Sequence, residues 1–137
     1  MGCPVTKVGA FLGRFDTILM MSNNFGLVGN PKRAPWLLKR FAAITTPEAR
    51  IVAQSNDVYG TEKPWHLAYQ QRNRDRGRLS GQIRLRVRYE IYTSPWFDYL
   101  MVSPDEMQKL LENTPWKVRE IIDSARTTTY TAILEKR

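Results

Sequence analysis

Cysteine and histidine are nearly absent from this chain of 137 residues: Cys3 is the one thiol and His66 the one imidazole. A single cysteine excludes an intrachain disulfide and any zinc site built on several thiolates. A single histidine excludes a metal held by several imidazoles, so no metal is expected. A lone thiol fits a reducing, cytoplasmic setting. Long apolar runs are lacking too. The longest, such as Ile18 to Met21, fall far short of the ~20 residues a membrane-spanning helix needs, so no membrane partner is expected. The N-terminal Met1-Gly2-Cys3-Pro4 has no basic region followed by an apolar stretch, which argues against a signal peptide. Acids are outnumbered, 13 against 21 Lys and Arg, giving a net charge of +8. That balance favours anionic partners, nucleic acid among them, without choosing one.

What is present is ordinary globular material. At 42% hydrophobic and 25% charged, the chain has enough apolar side chains to bury a core, and residues 1–137 read as one α/β domain. Residues 15–21, Phe-Asp-Thr-Ile-Leu-Met-Met, form a short apolar run closed by Ser22-Asn23-Asn24-Phe25-Gly26. Such a run suits a parallel strand covered on both faces. Asn30-Pro31 marks a turn. In 34–44, Trp36, Leu37, Arg40, Phe41 and Ile44 recur at helical spacing, and Thr45-Thr46-Pro47 ends the helix. Residues 50–55 then read as a second strand ending at Asn56-Asp57. Strand, helix and strand within about 40 residues make a right-handed βαβ unit.

A short helix is predicted from Trp65 to Asn73, ended by Gly77 and Gly81. Residues 82–92 alternate. Ile83, Leu85, Val87, Tyr89 and Ile91 lie on one face, with Arg84, Arg86, Arg88 and Glu90 on the other. This predicts one half-exposed antiparallel strand, with a turn at Thr93-Ser94-Pro95 and residues 96–102 returning beside it. Ser103-Pro104-Asp105-Glu106 is a helix start with the residues of a capping box. Trp116–Ile122 and Tyr130–Leu134 predict a closing hairpin. Trp36, Trp96, Trp116, Tyr99 and Tyr130 are expected in the core.

This succession resembles the C-terminal half of a class I S-adenosylmethionine-dependent methyltransferase. In that family a seven-stranded sheet has its last strand inserted antiparallel beside the fifth. Phe15–Met21 resembles the fourth strand, and Leu37 through Pro47 to Val52 resembles the next helix, turn and fifth strand. Ser103-Pro104-Asp105-Glu106 with Trp116 resembles the following helix and sixth strand, and Tyr130–Lys136 the seventh. Met1–Leu12 resembles a remnant of the third-strand region. The resemblance implies a partial Rossmann-like sheet, parallel strands plus a C-terminal antiparallel hairpin, with S-adenosylmethionine as cofactor. The family holds that cofactor with a glycine-rich loop after its first strand and an acid ending its second, a logic shared with dinucleotide folds. Neither is present here, so the resemblance implies a truncated methyltransferase-like protein, inactive alone or dependent on a partner.

In open α/β sheets, ligands bind beyond the carboxyl ends of the strands. Asn23, Asn24 and Phe25 follow the first strand there, as amide groups for a substrate and a ring for a flat one. A polar turn is the competing reading. Asn56 and Asp57 end the second strand on the same edge, as substrate contacts or as turn caps. His66, the one imidazole, is a candidate base, with a structural histidine as the alternative. Tyr69 would line the same cleft. Arg84, Arg86 and Arg88 form a positive stripe that would suit single-stranded nucleic acid, or a solvated strand face. This basic module is the alternative functional reading. The Phe15–Met21 edge, if unpaired, predicts a homodimer or a partner chain supplying the other half, unless residues 4–12 fold over it.

Overall fold

The computed structural model describes residues 2–137. Its central sheet is built from both ends of the chain. The first apolar run forms β1 (Phe15–Met20). An Asx-type turn, in which Asn30 Oδ1 accepts from the Arg33 amide at 3.0 Å, leads into helix α1 (Ala34–Ala43). Ala34, Leu37, Leu38 and Phe41 fall on one stripe of α1 and are buried. The chain then returns as β2 (Thr45–Asn56), parallel to β1. Thr45-Thr46-Pro47 ends the helix as expected, but the strand starts there rather than at residue 50.

An insertion follows, with helix α2 (Pro64–Asp75) and a ribbon of β3 (Gln82–Leu85) against β6 (Phe97–Leu100). Between these two strands a small hairpin of β4 (Arg88–Tyr89) and β5 (Tyr92–Thr93) projects. Helix α3 (Pro104–Leu111) opens on a complete capping box. Ser103 Oγ accepts from the Glu106 amide, and Glu106 Oε2 accepts from the Ser103 amide at 2.9 Å. The chain closes with β7 (Trp116–Asp123) and β8 (Thr129–Lys136). The sheet order is β1-β2-β8-β7. The last strand lies antiparallel between β2 and β7, as the sequence led one to expect.

Two long-range ties hold α1 on this sheet. Trp116, fully buried, donates its indole N–H to the Leu38 carbonyl at 2.9 Å. Lys136 Nζ donates to the carbonyls of Ala42 and Thr45 at 3.0 and 2.9 Å. A cation therefore sits where the helix leaves carbonyls unsatisfied and its dipole is negative. On β8, Tyr130, Ala132 and Leu134 alternate into the core.

Several expectations fail. The single strand expected over 82–92 breaks after Leu85. Glu90 takes a left-handed φ of 51° in a two-residue turn, so the reversal comes at Glu90-Ile91 and not at 93–95. Val87, Tyr89 and Ile91 are exposed, Ile91 by 88%, because no sheet or helix underlies the apolar face beyond Leu85. Trp36 and Trp96 are also exposed, whereas Trp116 and Tyr130 are in the core and Tyr99 is half-buried. β1 is not covered on both faces, since Leu19 is 67% exposed.

Residues 2–12 form no strand; they hold two 3-10 turns, Val5–Lys7 and Ala10–Leu12. The expected third-strand remnant is therefore absent over these residues, and Met1 lies outside the described ones. This segment packs on α1, where the Arg40 guanidinium donates to the Val8 carbonyl. It does not pair with β1, whose outer edge has no strand partner among the described residues.

Candidate functional site

Two strand ends define the edge where ligands bind in such sheets. At the end of β1, Ser22 and Asn23 take left-handed φ values of 54° and 67°. A 3-10 turn over Asn24–Val28 then drives Phe25 wholly into the core. Phe25 cannot pack on a ligand ring, contrary to expectation. Asn24 points to solvent. Asn23 Oδ1 is buried without a hydrogen-bond partner. Tyr99, from β6, covers this loop. Its hydroxyl donates to the Asn23 carbonyl, and its ring lies over Gly26. Burial pushes the Tyr99 phenol pKa up.

At the end of β2 there is open space instead. A cleft of about 680 Å³ runs between the end of β2, helix α2 and the β3–β6 ribbon. Asn56 and Asp57 form its floor, His66 and Tyr69 come from α2, and Ile83 and Met101 wall it from the ribbon. Four of the residues singled out from the sequence thus meet in one cleft, whereas Asn23, Asn24 and Phe25 do not line it.

The polar groups of the cleft are held in defined ways. Asp57 Oδ1 accepts from the Tyr59 amide at 3.0 Å, so the turn-capping reading also holds for this residue. The Asp57 amide donates to the Thr128 carbonyl at 2.8 Å, and Thr128 Oγ1 donates to Asn56 Oδ1. These bonds fasten the tip of the β7–β8 hairpin to the floor. His66 Nδ1 is 2.9 Å from Thr61 Oγ1, which also accepts from the Lys63 amide. Gln70, nearly buried, donates to the Val58 carbonyl at 2.8 Å. Behind this wall the Tyr59 hydroxyl donates to Glu106 Oε1 at 2.6 Å. Burial, and then that bond to Glu106, raise the Tyr59 pKa.

Sequence reasoning missed Lys63 and Gln70, and did not place Trp65 in this cleft. Trp65 and Tyr69, and His66 and Gln70, are each four residues apart, so they recur one turn on along α2. That spacing was the available signal. Trp65 meets His66 edge to face at 5.9 Å between ring centroids. The ammonium of Lys63 lies 5.9 Å from the Trp65 ring centroid.

Sheet order, strand directions and a cleft at the carboxyl edge together decide the architecture. The fold is that of S-adenosylmethionine-dependent methyltransferases. One from Bacteroides fragilis, in complex with S-adenosyl-L-homocysteine, superposes with a TM-score of 0.69 at 23% identity, over 90% of this chain and 49% of that one. The CcbJ methyltransferase from Streptomyces caelestis gives 0.62 at 10% identity, over 98% and 62%. A methyltransferase from Methanosarcina mazei gives 0.61 at 16% identity, over 89% and 59%. This chain therefore spans about half the length of the B. fragilis structure. No family model and no curated protein matches the sequence.

A cofactor loop needs glycines that leave room for close approach. Here the space beside Gly26 is filled by the Tyr99 ring, and Arg33 and the Asp98 carbonyl pack on Gly29. Asp57, the acid that follows a parallel strand, is engaged by the Tyr59 amide.

Arg84, Arg86 and Arg88 are all exposed, but the break after Leu85 keeps them from forming one straight strand face. Arg84 stands opposite Asp98 in the register. Even so, Asp98 Oδ2 accepts from Asn30 Nδ2 at 3.0 Å, and no ion pair forms across the ribbon. Arg86 lies 5.0 Å from the Trp96 ring centroid.

Proposed function

We propose that this chain carries the methyl-acceptor side of an S-adenosylmethionine-dependent methyltransferase, with the cofactor held mainly by strands that continue the sheet beyond β1. The cleft carries the proposal. It lies at the carboxyl edge of a sheet with methyltransferase topology, and it gathers Asn56, Asp57, His66 and Tyr69. Its mixed lining, with Trp65, Tyr69, Ile83 and Met101 beside a few polar groups, suits a small organic acceptor with a flat ring. The exposed apolar edge of β1, with Phe15, Leu19 and Met21 open to solvent, supports a further strand there.

His66 is the group that would take the acceptor's proton. With the proton on Nδ1, that nitrogen donates to Thr61 Oγ1, which leaves the lone pair on Nε2 of a ring that lines the cleft. Thr61 then accepts from both His66 and the Lys63 amide, which fixes the plane of the ring. In this reading the chain alone is inactive. Its partner is a polypeptide segment supplying the missing strands. Without that segment, a second copy would pair through Phe15–Met21.

Titration calorimetry with S-adenosylmethionine tests this. The chain alone should give no saturable heat. Binding should appear when a fragment bearing the strands of the B. fragilis methyltransferase that this chain leaves uncovered is added. Saturable binding by the chain alone would overturn the division of labour. No binding after the sheet is completed would overturn the methyltransferase reading. A monomer at high concentration in sedimentation would remove the self-pairing.

A further inference from the structure

Seven arginines lie between positions 72 and 88 against a single acid, Asp75, and the acceptor cleft uses none of them. In sequence they run through the end of α2, the turn after it, β3 and the start of the β4–β5 hairpin. Arg72, Arg76, Arg78, Arg84, Arg86 and Arg88 are exposed. Arg74 alone is tied down, to Ser80 Oγ at 2.9 Å and Gln71 Oε1 at 2.7 Å.

Among the described residues no carboxylate forms an ion pair with any of these arginines. Asp75 accepts from Gln71 at 2.7 Å, and Asp98 from Asn30 at 3.0 Å. The two ion pairs among the described residues both involve Glu135, on β8. Beside the cations stand solvent-exposed rings. Tyr89 and Tyr92 are each 70% exposed and Trp96 is 55% exposed, with Arg86 stacked on Trp96.

We propose that this surface binds single-stranded nucleic acid, with Arg84, Arg86 and Arg88 at phosphates and Tyr89, Tyr92 and Trp96 stacking on bases. Unpaired cations beside solvent-exposed flat rings are the two components of such sites, because every base has a face to stack and every nucleotide a charge to neutralise. The rings favour unpaired bases over a duplex, whose bases already stack on one another. An anionic membrane fits less well. Glu90 occupies the turn beside Ile91, so the most apolar point of the hairpin carries a carboxylate that would have to enter the headgroup layer.

The test is fluorescence anisotropy with labelled oligouridylate and oligothymidylate of about 12 nucleotides, within the range such surfaces cover. Binding should fall steeply as salt rises from about 50 to 200 mM. Replacing Arg84, Arg86 and Arg88 together with Gln should weaken it at least about tenfold and flatten the salt slope. Tyr89→Ala with Tyr92→Ala should weaken it about tenfold and leave the slope unchanged. All these positions are exposed, and an unchanged thermal transition confirms that the variants fold. No binding at low salt would overturn the proposal. So would binding indifferent to the two tyrosines, which charge alone explains. Co-sedimentation with phosphatidylserine vesicles without oligonucleotide binding would assign the surface to membranes instead.

Discussion

The ring of Tyr99 lies so close over Gly26 that a methyl group there would sit 2.3 Å from a ring carbon. The β3–β6 ribbon is thereby pinned across the end of β1. Gly26→Ala forces the ring or the loop to move. It should destabilise the protein by about 1–3 kcal/mol, the usual cost of overpacking. Tyr99→Leu removes the clashing ring, so the double variant should lose less than the sum of the two single changes in denaturant unfolding. Additive losses would mean that the ring does not set the identity of residue 26.

Tyr130 predicts how stability depends on pH. Its hydroxyl donates to the Val102 carbonyl at 2.8 Å, and burial pushes its pKa far above the ordinary 10.0. The unfolded chain releases this proton near pH 10, whereas the folded chain keeps it. Above pH 10 the unfolded state therefore binds fewer protons, and stability falls as pH rises. The contribution is complete below pH 10. Tyr130→Phe should cost about 1 kcal/mol at neutral pH through the lost hydrogen bond and should shed this alkaline loss. Chemical denaturation at pH 7 and across pH 9–11 reads both effects. An equal alkaline slope in the variant would contradict the assignment.

Ser103→Ala removes one half of the capping box at the start of α3. A loss of about 1 kcal/mol is expected, with Ser103→Asp keeping most of the stability. Thermal unfolding of both variants checks this, and equal losses would mean that the side-chain oxygen is not what holds the helix start.

In a preparation able to transfer methyl groups, His66→Gln should lower turnover by about 10²–10⁴ and change acceptor affinity little. Thr61→Val should cost less, because it leaves the imidazole in place and removes only its orientation. Parallel losses in affinity and turnover would make His66 a wall of the cleft and not a base.

Much of this architecture is legible in the sequence, because its elements carry redundant local signals. The helical recurrence of Leu37, Phe41 and Ile44, the Ser103-to-Glu106 cap and the closing pair Trp116–Ile122 and Tyr130–Leu134 each name their element, whereas the buried face of α1 was only half named, since Trp36 is exposed and Ala34 and Leu38 are buried instead. The meeting of Asn56, Asp57, His66 and Tyr69 follows from placing a strand end beside the next helix. The hairpin was not legible. Alternation over 82–92 reports what a strand would bury if a layer lay beneath it, and no layer lies beneath Val87, Tyr89 or Ile91. The role of Phe25 was misread for the converse reason. Two consecutive left-handed residues, Ser22 and Asn23, turn the chain inward, and nothing in their spacing announces that.

The placement of β8 between β2 and β7 governs the order of assembly. Ile51 faces Leu134 across that pairing, so β2 waits for β8, far along the chain, before one of its edges is satisfied. Contacts so distant in sequence make folding slow, and the waiting intermediate offers an open strand to other chains. On the ribosome, β1, α1 and β2 would emerge well before β8 and stay incomplete until it arrives. Loss of the final eight residues would leave both β2 and β7 with bare edges, a state better suited to aggregation or chaperone capture than to partial function.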